Sequence, residues 1–317
     1  MQNTPAVVMA DAPKAKKRIS PGFRQFLMIS PFLLLTFIFS YFPLYGWAYA
    51  FFEYKPPLRL SQCNYIGLDW FRLIFGNAGQ VQQLLIVMRN TFAMSLLGIL
   101  TSILPIIFAI LLTEIKAVRY KKFIQTFTTL PNFISWVLVY AVAFSLFSSS
   151  GMFNNFFQSI GVLSEPVRIL DSDSLTWLKM CIWGIWKGLG WSAIIYMAAI
   201  AGIDQELYEA ATVDGANRFR RIWHITIPGL MPTFTVLLLL QIAGFLSNGL
   251  DQYYVFQNAF NKDHIQVLDL YVFNISVGGQ NMYSLATAMS MLKSIISVTL
   301  LFIVNRISMA VRGELIV

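Results

Sequence analysis

The stretch EAATVDGANRFRRIWHITIPGL, residues 209–230, sits between two long apolar runs yet holds three arginines, two acids and a central glycine. Leu207, Ala210 and Ala211 recur at i, i+3 and i+4, which makes one apolar helical face. Phe219, Ile222 and Trp223 repeat the pattern after the glycine. Between them, Asp214–Gly215 predicts a local break, because glycine accepts positive φ and aspartate readily caps a following helix. Pro228 suits the first turn of the next helix, where its missing N–H costs nothing. The reading is two short amphipathic helices, joined at an angle, lying close to a membrane surface.

The rest of the chain explains why a membrane is invoked. The 317 residues are 57% hydrophobic and only 12% charged. Soluble domains carry roughly twice that share of charge. Apolar runs reach the roughly 20 residues that cross a bilayer as helix. The sequence therefore predicts an all-α polytopic membrane protein with six spans, at about 28–50, 84–112, 124–148, 178–202, 228–248 and 284–306. Pro105 is expected to kink the second span, neighbouring helices satisfying the freed carbonyl. Pro131 marks either the start of the third span or a break in it. The Gly184–Gly188 pair reads as small residues for close helix packing.

The formal charge of +8 does not point to nucleic acid, because the basic residues gather in no single patch. They sit in short connections, as lysines and arginines do when they set orientation. With the amino end inside, fourteen lie in inner segments and six in outer ones. That bias places residues 1–27, the segment at about 203–227 and residues 307–317 in the cytoplasm, around a six-helix transmembrane body at 28–306. The first apolar run is too long for a signal-peptide core and has no small-residue cleavage site after it, so it reads as a retained helix. Cys63 and Cys181 are far apart and offer neither a disulfide framework nor a metal spacing.

Each acidic residue reads as lying outside the membrane core, which argues against a carrier that binds its coupling ion on an intramembrane carboxylate. Backbone carbonyls could still hold sodium, so an ion-coupled secondary sugar carrier stays as the alternative. A membrane-embedded enzyme is a third reading, and a poor one. His224 and His264 fall on opposite sides, and no zinc-protease, nucleophile-elbow or phosphate-loop motif occurs, so no catalytic or metal residues are assigned. Arg89 reads as a snorkelling residue near a helix end. Lys187 and Lys293 lie deeper, where a charge costs about 2.5–3.5 kcal/mol and seeks a partner or a wet cavity. Lys187 is open between a pathway role and a structural partner, while Lys293 reads as structural.

Glu209-Ala210-Ala211, Gly215 and Ile225-Thr226-Ile227-Pro228 together resemble the EAA–G–I-x-LP signature of ABC importer permeases, departing only where Ile227 replaces leucine. "FSYFPLYGWAYAFFEYKPP", "SQCNYIGLDWFRLIF", "RNTFAMS", "LPNFISWVLVYAV", "SSSGMFNNFFQSIG" and "YSLATAMSMLKSIISVTLLFIVNRIS" are similar to the oligosaccharide-uptake branch, of the maltose and alginate kind. The resemblance implies a type I ABC importer permease fold in the inner membrane of a bacterium. It also implies a second, homologous permease chain, an extracytoplasmic solute-binding protein and two ATPase subunits that bind the ATP and Mg; this chain itself needs no cofactor. Glu209, Ala210, Ala211, Asp214, Gly215, Phe219, Ile225 and Pro228 would form the coupling helix that docks on the ATPase. For the sugar path, aromatic faces and amides near the outer halves of the late helices are the candidates: Trp183, Trp186, Lys187, Asn248, Gln252, Tyr253 and Tyr254. Interfacial aromatics are the competing explanation.

Overall fold

The structure is a computed structural model that describes residues 20–312. The basic KAKKR run and most of the predicted amino-terminal tail lie outside the described residues, as do 313–317 of the carboxyl-terminal tail. The chain divides into two compact units, one ending at Ala48 and the other beginning at Tyr49.

In the first unit, α1 (Pro21–Thr36) starts earlier than residue 28. Ser20 caps it, its Oγ accepting from the Phe23 N–H at 3.3 Å, and Pro21 occupies the first turn. A π turn (Phe37–Tyr41) and a 3-10 stretch (Phe42–Phe51) continue the line. None of the residues of α1 is buried, and large apolar side chains stand out all round it. A helix of that kind suits lipid rather than water.

The second unit carries α2 (Asp69–Gly76), α3 (Ala78–Thr101), α4 (Leu104–Thr113), α5 (Val118–Thr129), α6 (Trp136–Phe147), α7 (Met152–Ser159) and α8 (Thr176–Ala201). It goes on through α9 (Gln205–Val213), α10 (Arg218–Arg221), α11 (Ile227–Ala243), α12 (Asp251–Phe256), α13 (Lys262–Ile265), α14 (Leu268–Ser276) and α15 (Tyr283–Arg312). No strand occurs among the described residues, only one isolated bridge between Phe52 and Tyr65. Among the described residues, six helical stretches are long and apolar enough to cross a membrane: Pro21–Phe51, Ala78–Thr113, Trp136–Ser159, Thr176–Ala201, Arg218–Ala243 and Tyr283–Ala310.

Three buried clusters hold the second unit. Val139 and Ala143 of α6 meet Met180 and Cys181 of α8 and Tyr253 and Phe256 of α12 in one. Val87 of α3 meets Leu268, Tyr271 and Ile275 of α14 and Leu285 and Met289 of α15 in another. Ile106 and Ile110 of α4 meet Ala193 and Tyr196 of α8 and Leu230 of α11 in the third.

Several expectations change. The third span is not one helix over 124–148. Pro131 sits in a 3-10 turn (Leu130–Phe133) that separates α5 from α6, because proline withholds a donor and its ring crowds the preceding turn. The fifth span does not begin at Pro228. It runs from Arg218, with a π turn at Ile222–Thr226 that widens the helix just before the proline. A wide turn of this kind relieves the clash between a proline ring and the carbonyl four residues back.

Segment 249–283, between the fifth and sixth expected spans, is ordered: α12, α13 and α14 fold into the first two clusters. The RNTFAMS stretch explains how. Asn90, fully buried, donates through Nδ2 to the carbonyls of Asp263 and Gln266 at 3.0 and 3.1 Å. Thr91 Oγ1 accepts from the Leu268 N–H at 2.9 Å. Arg89 does not simply reach for water: it donates to the Asp263 carbonyl at 2.8 Å and lies over the Trp177 ring.

Candidate functional site

A cavity of about 500 Å3 opens between α3, α4, α8 and α11. Small residues on three helices make the room for it. Ser95, Gly98 and Ser102 face it from the second span, and Gly184, Gly188 and Ser192 from α8. Gln241, Ser247, Asn248 and Gln252 add amides and a hydroxyl from α11, the turn after it and α12. Those spacings, i, i+3, i+7 on the second span and i, i+4, i+8 on α8, put each set on one helical face.

Hydrogen bonds fix the polar lining. Asn248 Nδ2 donates to Ser95 Oγ at 2.8 Å, and Ser95 in turn donates to the Phe245 carbonyl. Gln252 Nε2 donates to the Met180 carbonyl at 2.7 Å. The Asn248 Oδ1 is buried without a partner among the described residues. An unpaired buried acceptor beside a cavity is poised for a ligand hydroxyl, since leaving it unmet costs about 1–3 kcal/mol.

The predicted path residues do not all converge here. Asn248, Gln252 and Tyr253 line the cavity. Trp183 instead packs against Phe147 and Phe256 in the first buried cluster, and Trp186 meets it edge to face from a more exposed position. Tyr254 stacks edge-on against Phe273 and lines a separate cleft with Lys187. Lys187 proves a structural partner. Its Nζ donates to the carbonyls of Pro131, Asn132 and Ile134 at 3.0, 2.8 and 2.6 Å, all in the break between α5 and α6.

Gly184 and Gly188 are not a close-packing pair. A Cβ at Gly188 would meet nothing within 4 Å, and one at Gly184 only the Gln252 Oε1 at 3.7 Å. The close approach belongs to Gly190, where a Cβ would stand 2.3 Å from the Thr128 carbonyl oxygen of α5. One acid outside the spans nonetheless pairs with a lysine inside one. Asp269 of α14 pairs with Lys293, and both side chains are only 18% exposed. Lys293 stands ten residues, about 15 Å, along α15. His264 is half-buried, its Nδ1 2.5 Å from Asp173 Oδ2 and its ring edge-on to Trp177.

A second feature is the segment linking α8 to α11. Asp204 caps α9 by accepting from the Glu206 N–H at 3.0 Å. The break falls at Asp214–Gly215, where Gly215 adopts a φ of +73°. The Gly215 and Ala216 N–H groups return to the carbonyls of Thr212 and Ala211 at 3.1 and 2.8 Å, a Schellman closure that satisfies the last carbonyls of α9. Asp214 ends α9; the cap of α10 is Asn217, whose Oδ1 accepts from the Arg220 N–H at 2.9 Å. Asx residues occur at both positions, and the one directly before the helix is the one that caps it.

This bent segment is tied down on one side and bare on the other. Tyr208 Oη and Thr226 Oγ1 are 2.9 Å apart, Arg221 donates to Thr212 Oγ1 at 3.2 Å, and Arg218 pairs with Glu114 at the end of α4 at 3.8 Å. Glu209 and Thr212 share a shallow cleft with Arg221. Val213, Phe219 and Trp223 stand 88%, 83% and 70% exposed. Ala210, Asp214 and Pro228 are exposed as well, whereas Ala211 and Ile225 are half-buried.

A family described as binding-protein-dependent transport system inner membrane component matches residues 118–312. The chain belongs to this family. Its members are the membrane components of ABC transporters rather than enzymes themselves. Over 292 residues the chain is 37% identical to Protein LplB of Bacillus subtilis (strain 168), covering 89% of this chain and 87% of that one. It is 33% identical, with the same coverage, to the polygalacturonan/rhamnogalacturonan transport system permease protein YteP of the same organism. The fold matches that of a chain in the crystal structure of a bacterial ABC transporter involved in the import of the acidic polysaccharide alginate. The TM-score is 0.79 at 28% identity, over 92% of this chain and 96% of that one.

Among the described residues no group of three or more His, Cys, Asp and Glu side chains could hold a metal. Sequence reasoning missed Ser95, Ser102, Ser192 and Gln241. Their signal was polar and small residues recurring on one face inside otherwise apolar spans, which is unremarkable until the cavity they share is seen.

Proposed function

We propose that the chain is one transmembrane subunit of an ATP-driven importer that passes an oligosaccharide across the bacterial cytoplasmic membrane by alternating access. Both termini and the 204–226 segment lie in the cytoplasm, as the Lys/Arg bias suggests. A homologous second permease completes the path, an external binding protein delivers the sugar, and two ATPase subunits hold the ATP and Mg. The saccharides in the names of the relatives support the substrate class. So does a cavity of about 500 Å3 lined by amides, hydroxyls and Tyr253, within the roughly 300–1,000 Å3 of small-ligand sites.

The observation that carries the energy-coupling half is the exposure of Val213, Phe219 and Trp223 on a segment otherwise polar and firmly anchored. Each such side chain gains about 1.5–3 kcal/mol when covered, so the segment is built to be gripped. Glu209 supplies a polar contact and Gly215 sets the bend. Ala210, Ala211 and Asp214 shape the face, and Ile225 and Pro228 join it to α11. Closure of the ATPase pair would then move a rigid lever, passed to the second span through Arg218–Glu114 and to the fifth through Tyr208–Thr226.

The test is the pair Gly215→Pro and Glu209→Lys in the complete transporter. Proline cannot adopt the φ of +73°, and it removes an N–H of the closure. Both variants should reach the membrane and lose the link between ATP hydrolysis and uptake. Normal transport by both would reject the assignment.

A further inference from the structure

Two lysines stand inside spans, and their donors are committed differently. An ammonium has three donors. Those of Lys187 are all taken by the carbonyls of Pro131, Asn132 and Ile134. Lys293 donates to Asp269 Oδ1 alone among the described contacts, so two of its donors stay open. The pair forms part of the wall of a second cavity, about 410 Å3, between α14 and α15. Ser247 lines both cavities, so the two adjoin.

The remaining wall groups decide what fits. Both Asp269 oxygens are already engaged: Oδ1 meets Lys293, and Oδ2 accepts from the Gly249 N–H at 3.0 Å. The Ser294 hydroxyl is given to the Ser290 carbonyl at 2.9 Å. The Ser297 hydroxyl is buried without a partner. The serine hydroxyls of the wall can donate or accept, so the charged capacity left open in this cavity is the two N–H of the Lys293 ammonium. A neutral sugar offers donors and acceptors in equal measure. A carboxylate offers acceptors only, and its hydrogen bonds to an ammonium are among the strong ones.

We infer that the cavity at Lys293 is a subsite for the carboxylate of a uronic-acid residue, so that the oligosaccharide carried is acidic. The inference rests on the importer reading and adds the charge of the cargo to it. Asp269 has a role beyond joining α14 to α15. It holds the ammonium in place and offsets its charge, so that the anion is bound weakly enough to leave; passage requires both entry and release.

The experiment uses the complete transporter with its binding protein and ATPase. The probes are uronate oligosaccharides cut from pectin, alginate and glucuronoxylan, each beside its carboxyl-reduced, neutral form. The readout is the ratio of acidic to reduced uptake, which does not depend on how much variant reaches the membrane. Wild type should favour at least one acidic form over its reduced partner. The double variant Lys293→Gln/Asp269→Asn, which removes both charges without stranding either, should lower that ratio about tenfold, the scale of a charge-assisted hydrogen bond. Lys293→Arg should preserve the preference.

A pair serving only to lock two helices would change stability and leave the ratio untouched; that result overturns the inference. Equal uptake of acidic and reduced forms by wild type also overturns it, while leaving the oligosaccharide importer standing. Uptake of neither form, across the panel, would bring down both.

Discussion

Removing the ammonium of Lys187 separates a structural role from a pathway role. In Lys187→Met the stem and its packing are kept, but the carbonyls of Asn132 and Ile134 lose the ammonium at once, while that of Pro131 keeps the Ile134 N–H at 3.2 Å. A stranded carbonyl costs about 1–3 kcal/mol. The contact of the ammonium with the Trp136 ring, at 5.5 Å, goes too; such contacts are worth about 0.5–1 kcal/mol. Against this, the freed side chain recovers up to about 2 kcal/mol of rotamer entropy. Partial relaxation of the 3-10 turn lowers the cost further, which leaves a net loss of about 2–4 kcal/mol. For a chain of this size that is a fall of about 5–10 °C in apparent melting temperature, readable by heating the detergent-solubilised transporter and following its elution. The surviving protein should show an unchanged dependence of uptake on substrate concentration. A variant as stable as wild type but with a shifted substrate dependence would refute the reasoning and return Lys187 to the path.

The glycines of α8 give a matched pair of tests. Gly190→Ala should destabilise the transporter by about 1–3 kcal/mol, because its Cβ would press on the α5 backbone at 2.3 Å, while Gly188→Ala should be nearly neutral because nothing stands within 4 Å; melting of the two variants side by side checks this. Gly188→Phe should fold but fill the cavity and cut uptake roughly tenfold, the scale of a lost subsite, measured as transport per molecule of folded protein.

What the sequence revealed and what it hid follow from the range of the forces involved. The six spans were legible because length and hydropathy are local properties, and Gly215 because positive φ is a demand of one residue. The break at Pro131 was half legible: proline forbids a continuous hydrogen-bond ladder but does not say whether the chain starts or resumes there. Pro228 does lie in the first turn of α11, as its lack of an N–H led one to expect, but no local pattern announces the π turn that carries the helical line back to Arg218. Gly184, Gly188 and Gly190 cannot be ranked by spacing, since the backbone of α5 faces only the last. Asp269 was assigned to a loop because its partner, Lys293, is reached only after α14 packs on α15. Serines and a glutamine in the cavity wall carried no individual signal; three separate helices had to be brought together before they formed a site.

The account turns on where the ATPase grips. Val213 and Phe219, exposed on the segment between α8 and α11, can each be changed to cysteine in the complete transporter and cross-linked with a short bifunctional reagent. Val162, also exposed but in the connection after α7, serves as the control, on the side that the proposed orientation makes external. The account predicts cross-links from positions 213 and 219 to the ATPase subunit, varying with bound nucleotide, and none from 162. An ATPase that cross-links elsewhere on the inner side and leaves both positions free, or a purified chain that carries solute with no ATPase present, would contradict it.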